Sequence, residues 1–213
     1  MLLPLETLAE RALREFEARN AAREQALTHA RKLVRASARA IQAVHREDYK
    51  AAQNFLDEGR TIAQRLHTDL ADYPDLFYAG YTQDALKEYA EANIVYSLIA
   101  GHPLPMPEDL QVPTNTYLRG LAEAVGELRR HTLNILRHGY SQRAETMLAY
   151  MDEIYGLLIL MDYPDAITGG LRRLTDVARS LIERTRGDIT LSLRLQEVET
   201  LLREWHQHQH KGA

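Results

Sequence analysis

The 213-residue chain has no cysteine, which excludes disulfide staples and thiolate metal sites and fits a reducing compartment. Long apolar runs are also missing. The stretches around Ala92–Ala100 and Tyr155–Met161 fall well short of the roughly 20 residues that a helical bilayer span requires. The beginning, MLLPLETLAERALREF, lacks the basic segment and apolar run of a secretory leader. A soluble, cytoplasmic protein with no membrane association is therefore expected. Aromatic residues are sparse at 7%, and 11 of them are Tyr against 3 Phe and 1 Trp. No segment alternates apolar and polar residues at period two, which argues against a sheet. Internal repeats are absent too, so solenoids are excluded.

What remains reads as helix almost throughout. Apolar positions recur at helical period over Leu5–Arg46, Glu47–Leu70 and from Thr82 or Asp84 to Ala100. Asp72-Tyr73-Pro74-Asp75 breaks the second stretch, and Gly101-His102-Pro103 ends the third. GHPLPMPEDLQVPTN, with its four prolines, reads as a loop. Thr114 or Asn115 opens a fourth helix through Arg137, and Ser141–Leu160 gives a fifth. A sixth begins at Tyr163-Pro164 and ends at Arg186-Gly187, where Asp188 caps a seventh. The expected fold is all-α, a single seven-helix bundle in one domain spanning residues 1–213. Residues from about 203 to 213 read as a flexible polar tail. His206, His208 and His210 alternate and share no helix face, so they read as solvated tail rather than as a metal site.

The net charge of −4 conceals a segregation. Arg11–Arg46 holds nine Lys/Arg against three Glu, whereas Glu47–Asp109 holds twelve acids against four bases. No acid occurs from Gln25 to His45, and Arg31, Arg35, Arg39, Gln42 and Arg46 project into an arc of about 80°. Such a stripe is the usual footprint of a phosphate-backbone partner. A solvated arginine face pairing with the acidic second helix is the competing reading.

Two carboxylate pairs carry the chemistry. In QDALKEYAEANIVYSLIAG, Glu88 and Glu91 share one face. Glu91 projects beside Val95 and Leu98, so partial burial is expected, and a buried carboxylate must be paired, protonated or metal-bound. In TYLRGLAEAVGELRRHTLN, Glu123 and Glu127 are four apart. Their helix carries Gly120 and Gly126, which are costly inside a helix and suggest a close approach there. Two facing helices with two carboxylates each would form an oxygen-only cage suited to Mg²⁺ or Mn²⁺ and to phosphate chemistry. Taken alone, each pair is also compatible with a structural ion pair or a solvated face. A ferritin-like di-iron site is disfavoured, because Glu127 to His131 is one residue longer than Glu-x-x-His.

At these residues the chain resembles the translin/TRAX family. TYLRGLAEAVGELRRHTLNILRHGY is similar to the family's central helix, and ALKEYAEA to the TRAX segment with Glu-Tyr-x-Glu-Ala. SARAIQAVHRED and GLRRLTDVARSLIERTRGDITL match its first and closing helices. The likeness extends from about Arg31 to Leu191. It implies a seven-helix bundle that assembles into dimers or larger closed homo-oligomers. TRAX-type members are Mg²⁺-dependent endoribonucleases on single-stranded RNA, while translin binds RNA or single-stranded DNA without an intact carboxylate site. By this resemblance Glu88, Glu91 and Glu127 match the TRAX acids, and Glu123 stands where the family has Asp.

The combined expectation is a Mg²⁺- or Mn²⁺-dependent endoribonuclease using Glu88, Glu91, Glu123 and Glu127. Arg31, Arg35, Arg39, His45 and Arg46, with Arg129 and Arg130 nearby, would hold the nucleic acid. The alternatives are a non-catalytic single-strand-binding protein and, further away, a hydrolase for small phosphate compounds.

Overall fold

The computed structural model describes residues 5–211, with side chains as far as His208. Among the described residues there are helices and no strand. In chain order they are α1 Leu5–His45, α2 Tyr49–Asp69, α3 Pro74–Phe77, α4 Gly80–Ala100, α5 Pro107–Leu110, α6 Thr114–Leu136, α7 Gln142–Leu158, α8 Asp165–Thr168 and α9 Leu171–Lys211. Six are long and three are single turns. None is long and apolar enough to cross a membrane.

The long helices α1, α2, α4, α6 and α7 lie close to the expected boundaries. Three expectations are corrected. The segments around Pro74 and Pro107, read as breaks or loop, each form one helical turn, because proline at the first helical position loses no intrahelical bond. Thr82 does not cap α4. The helix already runs from Gly80, and the Thr82 hydroxyl donates to the Leu76 carbonyl at 2.9 Å. The sixth and seventh helices are one. α9 passes through Arg186, Gly187 and Asp188 without interruption and continues across the segment expected to be a tail. The His210 side chain and residues 212–213 of that segment lie outside the described residues.

The chain forms two compact units. One comprises the chain up to Asn93 together with Pro105–Tyr117. In it α1 and α2 form an αα-hairpin, turned by Glu47 in the left-handed region (φ 59°). Asp48 caps α2, its Oδ1 accepting from the Ala51 amide at 3.0 Å. Leu33, Ala36, Ala40 and Val44 of α1 and Ala52, Leu56 and Leu66 of α2 are buried. The small residues among them allow close helix approach. Gly59 extends this. A Cβ there would lie 3.1 Å from Cδ2 of Tyr89, so any side chain at this position would have to push that ring back by a few tenths of an ångström. Tyr89 is almost completely buried, and its hydroxyl pKa is raised by that burial against the lowering effect of Arg60.

In the same unit, buried Thr116 near the start of α6 donates to Gln83 Oε1 on α4 at 2.5 Å. Gln83 in turn donates to the Phe77 carbonyl at 2.8 Å. These two bonds set the beginning of α6 against α4. The Tyr117 hydroxyl donates to the Pro105 carbonyl at 2.7 Å and so ties down the proline-rich connection.

The second unit comprises Ile94–Leu104 and the chain from Leu118. Its core holds Ile94, Val95, Leu121, Leu128, Met151 and Ile182. α7 packs along α9, and Arg186 reaches both carboxylate oxygens of Asp152 at 2.9 and 3.0 Å. Gly126, expected to mark a close approach, marks none: a Cβ there would meet Leu181 at an ordinary 3.8 Å.

Two measurements test this packing. No atom lies within 4 Å of a Cβ placed on Gly187, so Gly187→Ala should stabilise the chain by about 1 kcal/mol in denaturant unfolding. At Gly59 the same change should fall short of that gain, since overpacking costs about 1–3 kcal/mol. Equal gains at both positions would contradict the Tyr89 contact.

Burial, with Asp109 and Glu108 nearby, pushes the Tyr117 hydroxyl up to about 12 from 10.0. The folded state keeps this proton where the unfolded chain releases it. The stabilisation is complete below pH 10.0 and is lost as pH rises toward about 12. Tyr117→Phe should therefore show a shallower loss of stability over that interval than the native chain, and parallel curves would refute the assignment.

Candidate functional site

Glu88 and Glu91 stand on one face of α4, as their spacing requires. Glu91 is 7% exposed and Glu88 half-buried. The burial expected for Glu91 is thus present, on a helix where Tyr89, Ala90, Ala92, Ile94 and Val95 are also buried. On α6, Glu123 and Glu127 are one turn apart and both half-buried.

Among the described residues, Glu88, Glu91 and Glu123 each offer a carboxylate oxygen, and these oxygens lie within 4.8 Å of one another. Three of the four expected acids are therefore brought together. Glu127 is outside that group, and its carboxylate lies 3.6 Å from Nη1 of Arg130. An all-oxygen anionic donor set fits a small hard divalent cation and is poorly suited to a soft metal.

One participant was not read from the sequence. Lys87 is 8% exposed, and its Nζ lies 3.2 Å from Oε1 of Glu88. A buried ammonium with three donors offsets part of the charge that the acids accumulate. The available signal was a lysine among acids, three residues after Asp84, one before Glu88 and one turn before Glu91.

The basic residues divide. Arg31, Arg35, Arg39 and Arg46 are exposed along α1, and His45 is half-buried at its end. Among the described residues none of these four arginines forms an ion pair, so pairing with the acids of the second helix does not account for the stripe. Arg130 is exposed on α6. Arg129 is engaged with α9: its Nη1 lies 2.8 Å from Asp188 Oδ2 and donates to Thr185 Oγ1 at 2.9 Å. Asp188, expected as a helix cap, is instead the partner of this arginine.

No family model matches the sequence. Solved structures do match. The structure described as AfC3PO in complex with duplex RNA is 34% identical, with a TM-score of 0.80 over 91% of this chain and 98% of that one. Crystalline AfC3PO without that description matches at 33% identity, again with a TM-score of 0.80. The chain belongs to the translin/C3PO family. Apo-NeC3PO matches over 90% of this chain and 98% of its own at 25% identity, with a TM-score of 0.78. An uncharacterised protein of Methanocaldococcus jannaschii is 29% identical over 174 residues, covering 80% of this chain and 76% of that protein. The family membership agrees with the resemblance drawn from the acidic helices, and the three assembled acids lie within the segments that carried it.

Proposed function

We propose that this chain is a Mg²⁺- or Mn²⁺-dependent endoribonuclease acting on single-stranded RNA. The observation that carries the reading is the group formed by Glu88, Glu91 and Glu123 around a carboxylate withdrawn from water. Similarity to a family member solved with duplex RNA supports a nucleic-acid partner. The unpaired arginine stripe of α1 supports it independently.

A divalent cation, when bound, supplies charge neutralisation at the scissile phosphate and lowers the pKa of the attacking water. The chain's own groups do the rest. Buried Glu91 anchors the ligand set, with Glu88 and Glu123 completing it. Lys87 holds the Glu88 carboxylate in place and limits repulsion among the acids before the cation arrives. Glu127, one turn beyond Glu123 and outside the ligand group, accepts the proton of the attacking water. Arg130 lies beside it, its Nη1 3.6 Å from the Glu127 carboxylate. Arg31, Arg35, Arg39, His45 and Arg46 hold the substrate backbone. Arg129 is committed to Asp188 and has no part in this scheme.

A non-catalytic RNA- or single-stranded-DNA-binding protein is the second reading, favoured by the Lys87–Glu88 pair, which could satisfy part of the acidic group without a metal. Cleavage of an unstructured RNA in Mg²⁺, compared with EDTA, separates the two. Glu127→Gln should lower the rate by about 10²–10⁴, the usual contribution of a general base. Glu91→Gln should abolish metal binding in calorimetry while RNA binding in EDTA persists. Turnover unaffected by both substitutions, or absent from the native chain in either metal, would leave the binding protein.

We also infer a homo-oligomer, either a dimer or a larger closed assembly. Leu191, Leu195, Val198, Leu201, Leu202 and Trp205 are each more than half exposed along the outer part of α9, an apolar row of the kind that marks an association surface. Light scattering on Leu195→Glu/Leu202→Glu should give a smaller species than the native chain. An unchanged mass would exclude this row as the interface.

A further inference from the structure

α1 and α2 enclose a groove of about 520 Å³ on the surface of the first unit. Its walls are unusual in charge. Lys32, Arg35 and Arg39 come from α1 and Arg65 from α2, against a single acid, Glu58. Among the described residues none of the four cations forms an ion pair, with Glu58 or with any other acid. Cations gathered in one concavity without a counter-ion repel one another, and the folded state tolerates this only because the heads reach water. A polyanion entering the groove would remove that repulsion and release bound counterions.

The groove has a second chemical element. The Arg39 guanidinium lies over the Phe55 ring of α2, 5.8 Å from its centroid. This cation–π contact orients the Arg39 fork and leaves a planar cation and a half-buried aromatic ring at the groove's edge. Thr61 adds a hydroxyl to the lining. Phosphate-binding cations beside a stacking platform are what an unpaired strand requires, because its bases are free to stack on an arginine or aromatic plane. A duplex keeps its bases stacked internally and would use the cations alone.

We propose that this α1–α2 groove is a binding subsite for the backbone of single-stranded RNA. Lys32, Arg35 and Arg65 contact successive phosphates, and the Arg39–Phe55 pair stacks a base. Arg35 and Arg39 of the stripe seen in the sequence thus stand on one wall of a cleft, and Arg65 of α2 supplies a cation opposite. This inference rests on the RNA reading of the proposed function but not on cleavage.

The test is fluorescence anisotropy of a short labelled oligouridylate with the full-length chain in EDTA, so that binding is read without turnover. Arg35→Gln/Arg65→Gln should weaken binding about tenfold and flatten the salt dependence by about 0.7 per lost phosphate contact. Arg203→Gln, which removes an exposed α9 charge paired at 3.6 Å with Glu199, should bind as the native chain does. Phe55→Leu should weaken the single strand and leave a duplex of equal length unchanged. Circular dichroism and thermal melting accompany each variant, so that loss of fold is not mistaken for loss of binding.

Binding by Arg35→Gln/Arg65→Gln equal to that of Arg203→Gln would overturn the subsite. Duplex bound at least as tightly, with no effect of Phe55→Leu, would overturn the single-strand assignment. Competition by polyglutamate as strong as by RNA would reassign the groove to an acidic protein segment. Groove-dependent binding together with no cleavage in Mg²⁺ would remove the nuclease reading and leave this one standing.

Discussion

A carboxylate held at 7% exposure on α4 constrains much of what surrounds it. Removing such a group from water costs several kcal/mol even after relaxation, and that cost must be offset by a cation and by fixed geometry. Both are present. Lys87, itself buried, places an ammonium 3.2 Å from Glu88, and the group of three carboxylates offers a place for a divalent ion. Fixed geometry comes from contacts that are otherwise hard to explain. The Gly59–Tyr89 approach fixes the rotation of α4 about its axis, and the Thr116–Gln83–Phe77 chain of hydrogen bonds fixes where α6 begins against it. Tyr89 lies between Glu88 and Glu91 in sequence but faces α2, so rotating it outward would turn the two acids away together.

The same logic explains how a chain of net charge −4 can serve a polyanion. Three of the acids gather on α4 and α6, where a bound cation would offset their charge. Lys32, Arg35 and Arg39 of α1 and Arg65 of α2 gather in one groove and, among the described residues, form no ion pair. On the proposed reading, a field divided in this way would steer a strand to the cations and would admit a phosphate to the acids only with a metal bound. The overall charge reports neither property.

The sequence carried the helical class and the limits of the long helices, because amphipathic period and glycine or proline punctuation are local signals. It carried the two acidic pairs for the same reason. Its failures have a common physical cause. The break placed at Arg186-Gly187-Asp188 assumed that glycine followed by a capping residue ends a helix, but tertiary packing overrode that preference, with Asp188 engaged by Arg129 and Arg186 by Asp152. Arg129 was grouped with Arg130 because the two are adjacent, yet neighbours on a helix point about 100° apart and so met different surroundings. Lys87 and Arg65 went unread because their importance depends on which residues lie opposite them, and period cannot supply that.

The identity of residue 123 bears on the nuclease reading in a way that the geometry changes. Glu in place of Asp adds one methylene and one rotatable bond, which costs side-chain entropy on ligation and raises the question of whether the arm overshoots. It does not, since the Glu123 oxygen comes within 4.8 Å of both α4 carboxylates. The longer arm reaches the common point from a half-buried position on α6. The position outside that group is Glu127, which the spacing alone would have ranked with Glu123. Were a divalent cation bound by the three carboxylates, a fourth ligand would not be required for charge balance, since Lys87 lies 3.2 Å from Glu88. In the proposed scheme Glu127 stands outside the ligand group, where the family resemblance would place it within. One turn from Glu123 and 3.6 Å from Arg130, it is the carboxylate that this scheme assigns to proton transfer. On the proposed division of labour, the chemistry would depend less on the Asp-to-Glu exchange at 123 than on Glu127 keeping its place beside Arg130.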